Sequence, residues 1–165
     1  MPAGLRHRRQ RVPPDAQNRG GRGVQGMGMS DDDFVQHLVS TSTHDHLLFF
    51  TNLGRVYRMK GYEIPESGRT AKGTAIVNLL PLAKEETITA IIPIKEFSKD
   101  RYLFMATRHG IVKKTGLSEF DTNRKKTGLI ALSLKENDEL IGVNIFSNII
   151  ISENENTRKP ELKFY

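Results

Sequence analysis

Gln17-Asn18-Arg19-Gly20-Gly21-Arg22-Gly23 carries the strongest chemical signal in the sequence. Glycines around two arginines let the backbone lie close to a surface while each guanidinium presents paired donors in a planar fork. That fork matches phosphate oxygens in a way a lysine point charge does not. Backbone N–H groups in such a stretch add donors for an anion. By itself the segment also reads as a flexible Arg/Gly linker. Positive charge then recurs at matching places. Arg58 and Lys60 follow one tight turn, and Lys113 and Lys114 follow another. Arg69 and Lys72 lie in one long loop, and Arg124, Lys125 and Lys126 lie in a second. Cations repeated on equivalent surfaces suit an extended polyanion better than a small anion.

Other signals lead to no chemistry. Gly68-Arg69-Thr70-Ala71-Lys72-Gly73-Thr74 has the outer spacing of a phosphate loop, but its Lys precedes the second Gly and no helix pattern follows. His44 and His46 could give a metal two nitrogens, with no third ligand near in sequence, and Thr43 to Asp45 reads as a hairpin turn. Met27 and Met29 sit in a glycine-rich loop. None of the tyrosines, Tyr57, Tyr62, Tyr102 and Tyr165, stands beside a base and an acidic cluster, so no catalytic constellation is expected.

The chain that must position these cations has 165 residues, 37% of them apolar and 27% charged, with a net charge of +6. That length supports one ordinary domain. The absence of cysteine excludes disulfides and thiolate metal sites, and agrees with a reducing cytoplasm. Its longest apolar runs are too short to span a bilayer, and the basic start is not followed by the apolar stretch of a secretory signal.

Residues 1–30 form a basic leader, with six arginines against one aspartate and too much Gly and Pro for a helix or central strand. From Phe34 to Phe146 the pattern is one of short strands: Val35–Thr41, Leu47–Thr51, Val56–Lys60, Ile76–Leu80, Thr87–Ile94, Tyr102–Thr107, Ile111–Lys114, Leu129–Leu134 and Glu139–Ile145. No helical period is long enough for a major helix, leaving room for a short turn near Leu117–Phe120. A repeat is visible: Leu47 to Arg58 lies over Leu103 to Lys114, placing Gly54 and Gly110 at one turn position. Lys72-Gly73 then lies over Thr127-Gly128, and Thr87 to Ile91 over Glu139 to Val143. Four strands in about fifty residues is the unit of a propeller blade. The expected fold is therefore all-β and propeller-like, with about two four-stranded blades at 31–97 and 98–146 and the ring not closed. Residues 147–165 form a divergent polar tail. Arg58 and Lys60 share one strand face by parity, and that face also takes Val56.

The run from Gln17 to Gly28, with Asp33-Phe34-Val35, Thr41 to Asp45, Phe50-Thr51-Asn52, Gly61 to Pro65, Gly68 to Gly73 and Asn78-Leu79-Leu80, resembles the C-terminal domain of the bacterial DNA gyrase A protein. The second unit continues the match with His109-Gly110, Lys113-Lys114 and Gly128 to Leu132. Gln17, Arg19, Gly20, Gly21, Arg22 and Gly23 fit that family's seven-residue basic box, from which Asn18 departs by lacking a second basic residue. The largely intact box favours gyrase over the related topoisomerase IV protein.

The resemblance implies a β-pinwheel, in the family a closed ring of six blades, with double-stranded DNA wrapped around a basic rim so that strand passage yields negative supercoiling. It implies that the box and the repeated cations contact DNA, and that the rest of the gyrase A protein and the ATPase protein of gyrase are partners. It also implies a cytoplasmic, nucleoid-associated setting without membrane. No cofactor belongs to this chain; ATP and Mg are used elsewhere in the holoenzyme, as is the catalytic tyrosine. Two blades fit a gene fragment or a misframed reading frame, with sheet edges open to pairing. A rival reading is a propeller scaffold for an acidic protein. An enzyme acting alone ranks lowest.

Overall fold

The computed structural model describes residues 4–5, 34–68, 71, 73–122, 128–147, 150–152 and 161–163. These residues form strands and 3-10 turns, the all-β class expected. In chain order the strands are β1 (Gly4–Leu5), β2 (His46–Thr51), β3 (Arg55–Lys60), β4 (Thr74–Ala75), β5 (Ile88–Ile94) and β6 (Arg101–Thr107). They continue with β7 (Val112–Gly116), β8 (Leu129–Ile130), β9 (Leu140–Ser147), β10 (Ile150–Ser152) and β11 (Glu161–Lys163). Two sheets carry the fold, in the orders β5-β2-β3-β8 and β7-β6-β9, and no pairing among the described residues closes them into a ring. Two-stranded pairs, β1-β4 and β10-β11, complete the pairing.

The repeat holds at atomic detail. Gly54 and Gly110 have φ of 71° and 81°, which glycine adopts without the Cβ penalty of other residues. Their amides close the same turn, Gly54 N–H to Thr51 O and Gly110 N–H to Thr107 O, both at 3.0 Å. The threonine hydroxyl of each unit accepts the amide four residues on, from Arg55 at 3.3 Å and from Ile111 at 3.2 Å. A buried acid backs each turn. Glu86 accepts the Thr51 hydroxyl at 2.7 Å, the Tyr57 hydroxyl at 3.0 Å and the Ala83 amide at 2.9 Å. Asp138 accepts the amides of His109 and Glu139 at 3.0 and 2.9 Å. Burial opposes ionisation of Asp138, but hydrogen bonds from the Thr107 hydroxyl and those amides outweigh it and hold its pKa below the ordinary carboxylate value.

Strand parity builds the core. Leu48, Phe50 and Val56 face forward from the first sheet and pack against Leu103 and Met105 on the rear of the second. Leu117, Phe120, Ala131 and Leu132 join that cluster. The rear of the first sheet (Leu47, Phe49 and Tyr57) packs on Ile64, Ile76 and Leu80. Each fully buried Leu or Phe contributes about 1.5–3 kcal/mol. The two units thus stack face to rear, as propeller blades do.

Three strand expectations need correction. Residues 34–42 alternate but form no strand; Phe34 and Leu38 are exposed, since alternation sets side-chain parity without supplying a pairing partner. Ile76–Asn78 is a 3-10 turn, in which the Leu79 and Leu80 amides both return to Ile76 O. The 129–134 strand shortens to β8, which joins the first unit's sheet instead of its own. The first unit therefore reaches four strands by taking one from the second. The Leu117–Phe120 turn stands where expected.

Burial first, then the hydrogen bond to Glu86, raises the pKa of Tyr57 above its ordinary 10.0. The folded chain holds this proton more tightly than the unfolded chain. Its contribution is complete below the unfolded value and is lost as pH rises through the folded one. Urea titrations from about pH 9 to about pH 11 should show stability falling, and Tyr57→Phe should remove part of that fall.

Candidate nucleic-acid interface

β3 and β7 occupy equivalent places in the two sheets, and one pair of cations on them is equivalent, Arg58 with Lys114, whereas Lys60 matches Gly116 and Lys113 matches Tyr57. Arg58 stands opposite Leu48, and Lys114 stands opposite Phe104 at the matching position. Both lie over an aromatic ring: the Arg58 guanidinium 5.1 Å from the centre of Phe97, and the Lys114 ammonium 4.0 Å from that of Tyr102. Lys60 shares the forward face with Arg58 and Val56, as parity requires, and its Nζ donates to His44 O at 2.8 Å. Lys113 projects to the rear of the second sheet, opposite Met105, where its Nζ donates to Ala131 O at 2.8 Å.

Burial separates these four. Lys113 and Lys114 are exposed on β7 and Lys60 is half-buried. The Arg58 side chain is only 10% exposed, and it pairs with Asp121 Oδ1 at 2.9 Å across the seam between the units. Together with Leu48, Val56, Phe120, Thr122 and Leu129 it lines a recess of about 10 Å³, too small for a substrate. In this arrangement Arg58 joins the blades, while Lys114 keeps its charge toward solvent. Arg58→Ala should cost about 1–2 kcal/mol, mostly packing over Phe97, because the 62% exposure of Asp121 discounts the ion pair. Lys114→Ala should change stability by under about 0.5 kcal/mol. Chemical denaturation of both variants checks the contrast.

The remaining predicted contacts, Gln17, Arg19, Gly20, Gly21, Arg22, Gly23, Arg69, Lys72, Arg124, Lys125 and Lys126, lie outside the described residues. The ends of the two basic loops are described, and they match. Each loop leaves through a 3-10 turn, Gly61–Glu63 or Leu117–Phe120, directly after β3 or β7. Each ends at a left-handed glycine, Gly73 at φ 77° or Gly128 at φ 67°, just before β4 or β8. Gly61 is buried in the first unit, and any Cβ there would fall 2.7 Å from Ser42 O. The Ser42–Asp45 turn that crowds it is tied by Asp45, whose Oδ2 accepts the Ser42 amide at 2.9 Å and the Thr41 hydroxyl at 3.0 Å. The backbone hydrogen bond from Ser42 leads in holding the Asp45 pKa below its ordinary value, against a smaller opposing effect of burial. Sequence reasoning missed Asp121 and Phe97 as the partners of Arg58. Asp121 lies 63 residues away, and no local signal connects the two.

Other groups take structural places. His44 meets the Tyr62 ring edge-on at 6.4 Å, and His46 lies 5.1 Å from Phe97. Among the described residues no three His, Asp or Glu side chains gather to hold a metal, and no helix is long and apolar enough to cross a membrane.

The family model described as "DNA gyrase C-terminal domain, beta-propeller" matches residues 15–42, 45–95 and 101–147. The A subunit of DNA gyrase from Streptococcus pneumoniae serotype 4 is 65% identical over 129 residues, covering 78% of this chain and 16% of that protein. Its counterpart in Halalkalibacterium halodurans is 58% identical over 130 residues, covering 79% of this chain and 16% of that protein. The chain thus spans about one sixth of the length of these curated relatives. Among solved structures, the C-terminal domain of DNA topoisomerase IV aligns with a TM-score of 0.67 at 32% identity, over 73% of this chain and 38% of that one. The DNA gyrase A C-terminal domain aligns with a TM-score of 0.59 at 26% identity, over 82% and 42%.

Proposed function

Because this chain belongs to the DNA gyrase C-terminal β-propeller family, we propose that it is a DNA-wrapping part of a gyrase A protein, binding duplex DNA through its phosphates without regard to sequence. The observation that carries this reading is the family match across both repeat units, which takes in the box and both basic loops. The matching described ends of those loops support it, because loops that leave and return at equivalent points would offer one duplex regularly spaced contacts. The curated relatives at 65% and 58% identity are gyrase A subunits, which favours gyrase, while the solved topoisomerase IV domain shows that the same fold serves both proteins.

Phosphate contacts fix the path of DNA but carry no sequence information. Bending a stiff duplex over a short site costs several kcal/mol, so wrapping requires contacts spread along a rim. Two blades hold part of such a rim, and this chain should bind DNA while bending it little. In the whole enzyme the remainder of the gyrase A protein would supply the cleavage tyrosine. The ATPase protein would use ATP and Mg in a cytoplasmic, nucleoid-associated assembly; this chain would use no cofactor.

Fluorescence anisotropy with short duplexes of unrelated sequence tests the proposal. Dissociation constants within about threefold of one another are expected. A marked preference for one sequence, or no binding at low salt, would overturn it.

A further inference from the structure

The β8 exchange shows how one unit completes another. Leu129 and Ile130 pair with Val56 and Arg55, and the Ala131 and Leu132 amides both donate to Gly54 O, at 2.9 and 3.1 Å. This plug, Gly128 to Leu132, buries its last two side chains and reduces Val56 to 4% exposure. A Cβ at Gly54 would lie 2.4 Å from Leu132 O, so the socket is full.

The second unit has the same socket, and among the described residues none fills it. Gly110 stands where Gly54 does, yet a Cβ there would meet no atom within 4 Å. Val112, the counterpart of Val56, is 61% exposed. The first unit has the counterpart of the plug. Gly73, Thr74, Ala75, Ile76 and Val77 match Gly128 to Leu132 in order, with both glycines left-handed. Val77 is 55% exposed where its counterpart Leu132 is 7% exposed. Gly4 and Leu5 pair with Ala75 and Thr74 in the register that Arg55 and Val56 use on Ile130 and Leu129. The plug of the first unit is thus built to be paired from that side, and in one copy it is held by a two-residue stand-in.

We propose that the free edge of β7 at Gly110–Val112 receives the Gly73–Val77 plug of a second copy of this chain, displacing Gly4–Leu5 from it. Val112 then pairs with Thr74 and Ile111 with Ala75, and the Ile76 and Val77 amides of the incoming copy donate to Gly110 O. The commitment to a second copy follows from the match of plug and socket within one chain: left-handed glycine, two-residue strand, then two apolar residues. Pairing an unsatisfied edge and burying two exposed valines drive the contact. The contact is heterologous, so every assembly still presents one free plug at one end and one free socket at the other, and it grows head to tail with concentration.

Sedimentation velocity on the full chain tests this without DNA and independently of the DNA-binding proposal. The wild-type chain should shift from monomer toward dimer and longer species as concentration rises. Val112→Lys spoils the socket and Val77→Lys spoils the plug, and both positions are exposed enough to leave the fold intact. Each variant alone should remain monomeric, with self-affinity at least tenfold weaker. An equimolar mixture should form a 1:1 heterodimer and stop there, because only one good plug meets one good socket. Hydrogen exchange at 110–112 and 74–77 should slow with concentration in the wild type. A wild-type chain that stays monomeric, a single variant that still associates normally, or a mixture that remains monomeric overturns the proposal.

Discussion

Raising monovalent salt from about 50 to about 200 mM should weaken duplex binding by this chain on the order of 100-fold. Neutralising roughly four phosphates releases their condensed counterions, and the slope of log affinity on log salt is about −0.9 for each. Four is a modest number for a chain with 25 Lys+Arg. Arg19→Ala combined with Arg22→Ala removes two bidentate donors and should flatten that slope by about two. The result should be an affinity loss of about tenfold or more at the lower salt, similar for every sequence tested. Lys113→Ala and Lys114→Ala should each give a smaller, salt-dependent loss. A slope near zero, or an unaltered slope in the double-arginine variant, would exclude the box as a phosphate site. The wrap itself is best read in an intact gyrase, where the double-arginine variant should lose DNA compaction before it loses DNA binding.

The second large effect concerns two glycines that look interchangeable in sequence. Gly54→Ala and Gly110→Ala both place a Cβ at positive φ, which costs about 1–2 kcal/mol. At Gly110 the cost stops there, because the new methyl meets open space. At Gly54 it meets the Leu132 carbonyl at 2.4 Å and the Leu134 side chain at 3.3 Å. The β8 segment must shift, adding about 1–3 kcal/mol of overpacking. Thermal denaturation should therefore lower the midpoint for Gly54→Ala by roughly 10 °C, against roughly 4 °C for Gly110→Ala. Equal losses would mean that the plug is not seated on the first unit. A related loss is expected at Gly128, where a Cβ would stand 2.8 Å from the Tyr57 ring.

What could be read from the residues, and what could not, follows from the range of each interaction. Gly54 and Gly110 announced matching turns because left-handed backbone leaves a local mark in residue type. The parity of β3 placed Arg58, Lys60 and Val56 on one face, and the structure agrees. The partner of β8 was not legible. A two-residue strand has no period, and its pairing with Arg55 and Val56 spans more than seventy positions. The exposed alternation at 34–42 misled for the opposite reason: it has the period of a strand but no neighbour to bond. For the candidate site, the equivalence of Arg58 and Lys114 was legible from the repeat, while Lys60 and Lys113 have no basic counterpart in it. Their engagement was not: the Asp121 that covers Arg58 and the Ala131 carbonyl that takes Lys113 come from distant turns.

The backward step of β8 also sets an order of events at the ribosome. The first sheet cannot receive its outer member until residue 132 has left the exit tunnel, although its other three members are complete by residue 94. For that interval of translation a nascent chain exposes the Val56 edge, while Gly4–Leu5, already outside, pairs with β4. Synthesis of this pair is therefore a relay, in which the first module waits for the second before its own hydrogen bonding is finished.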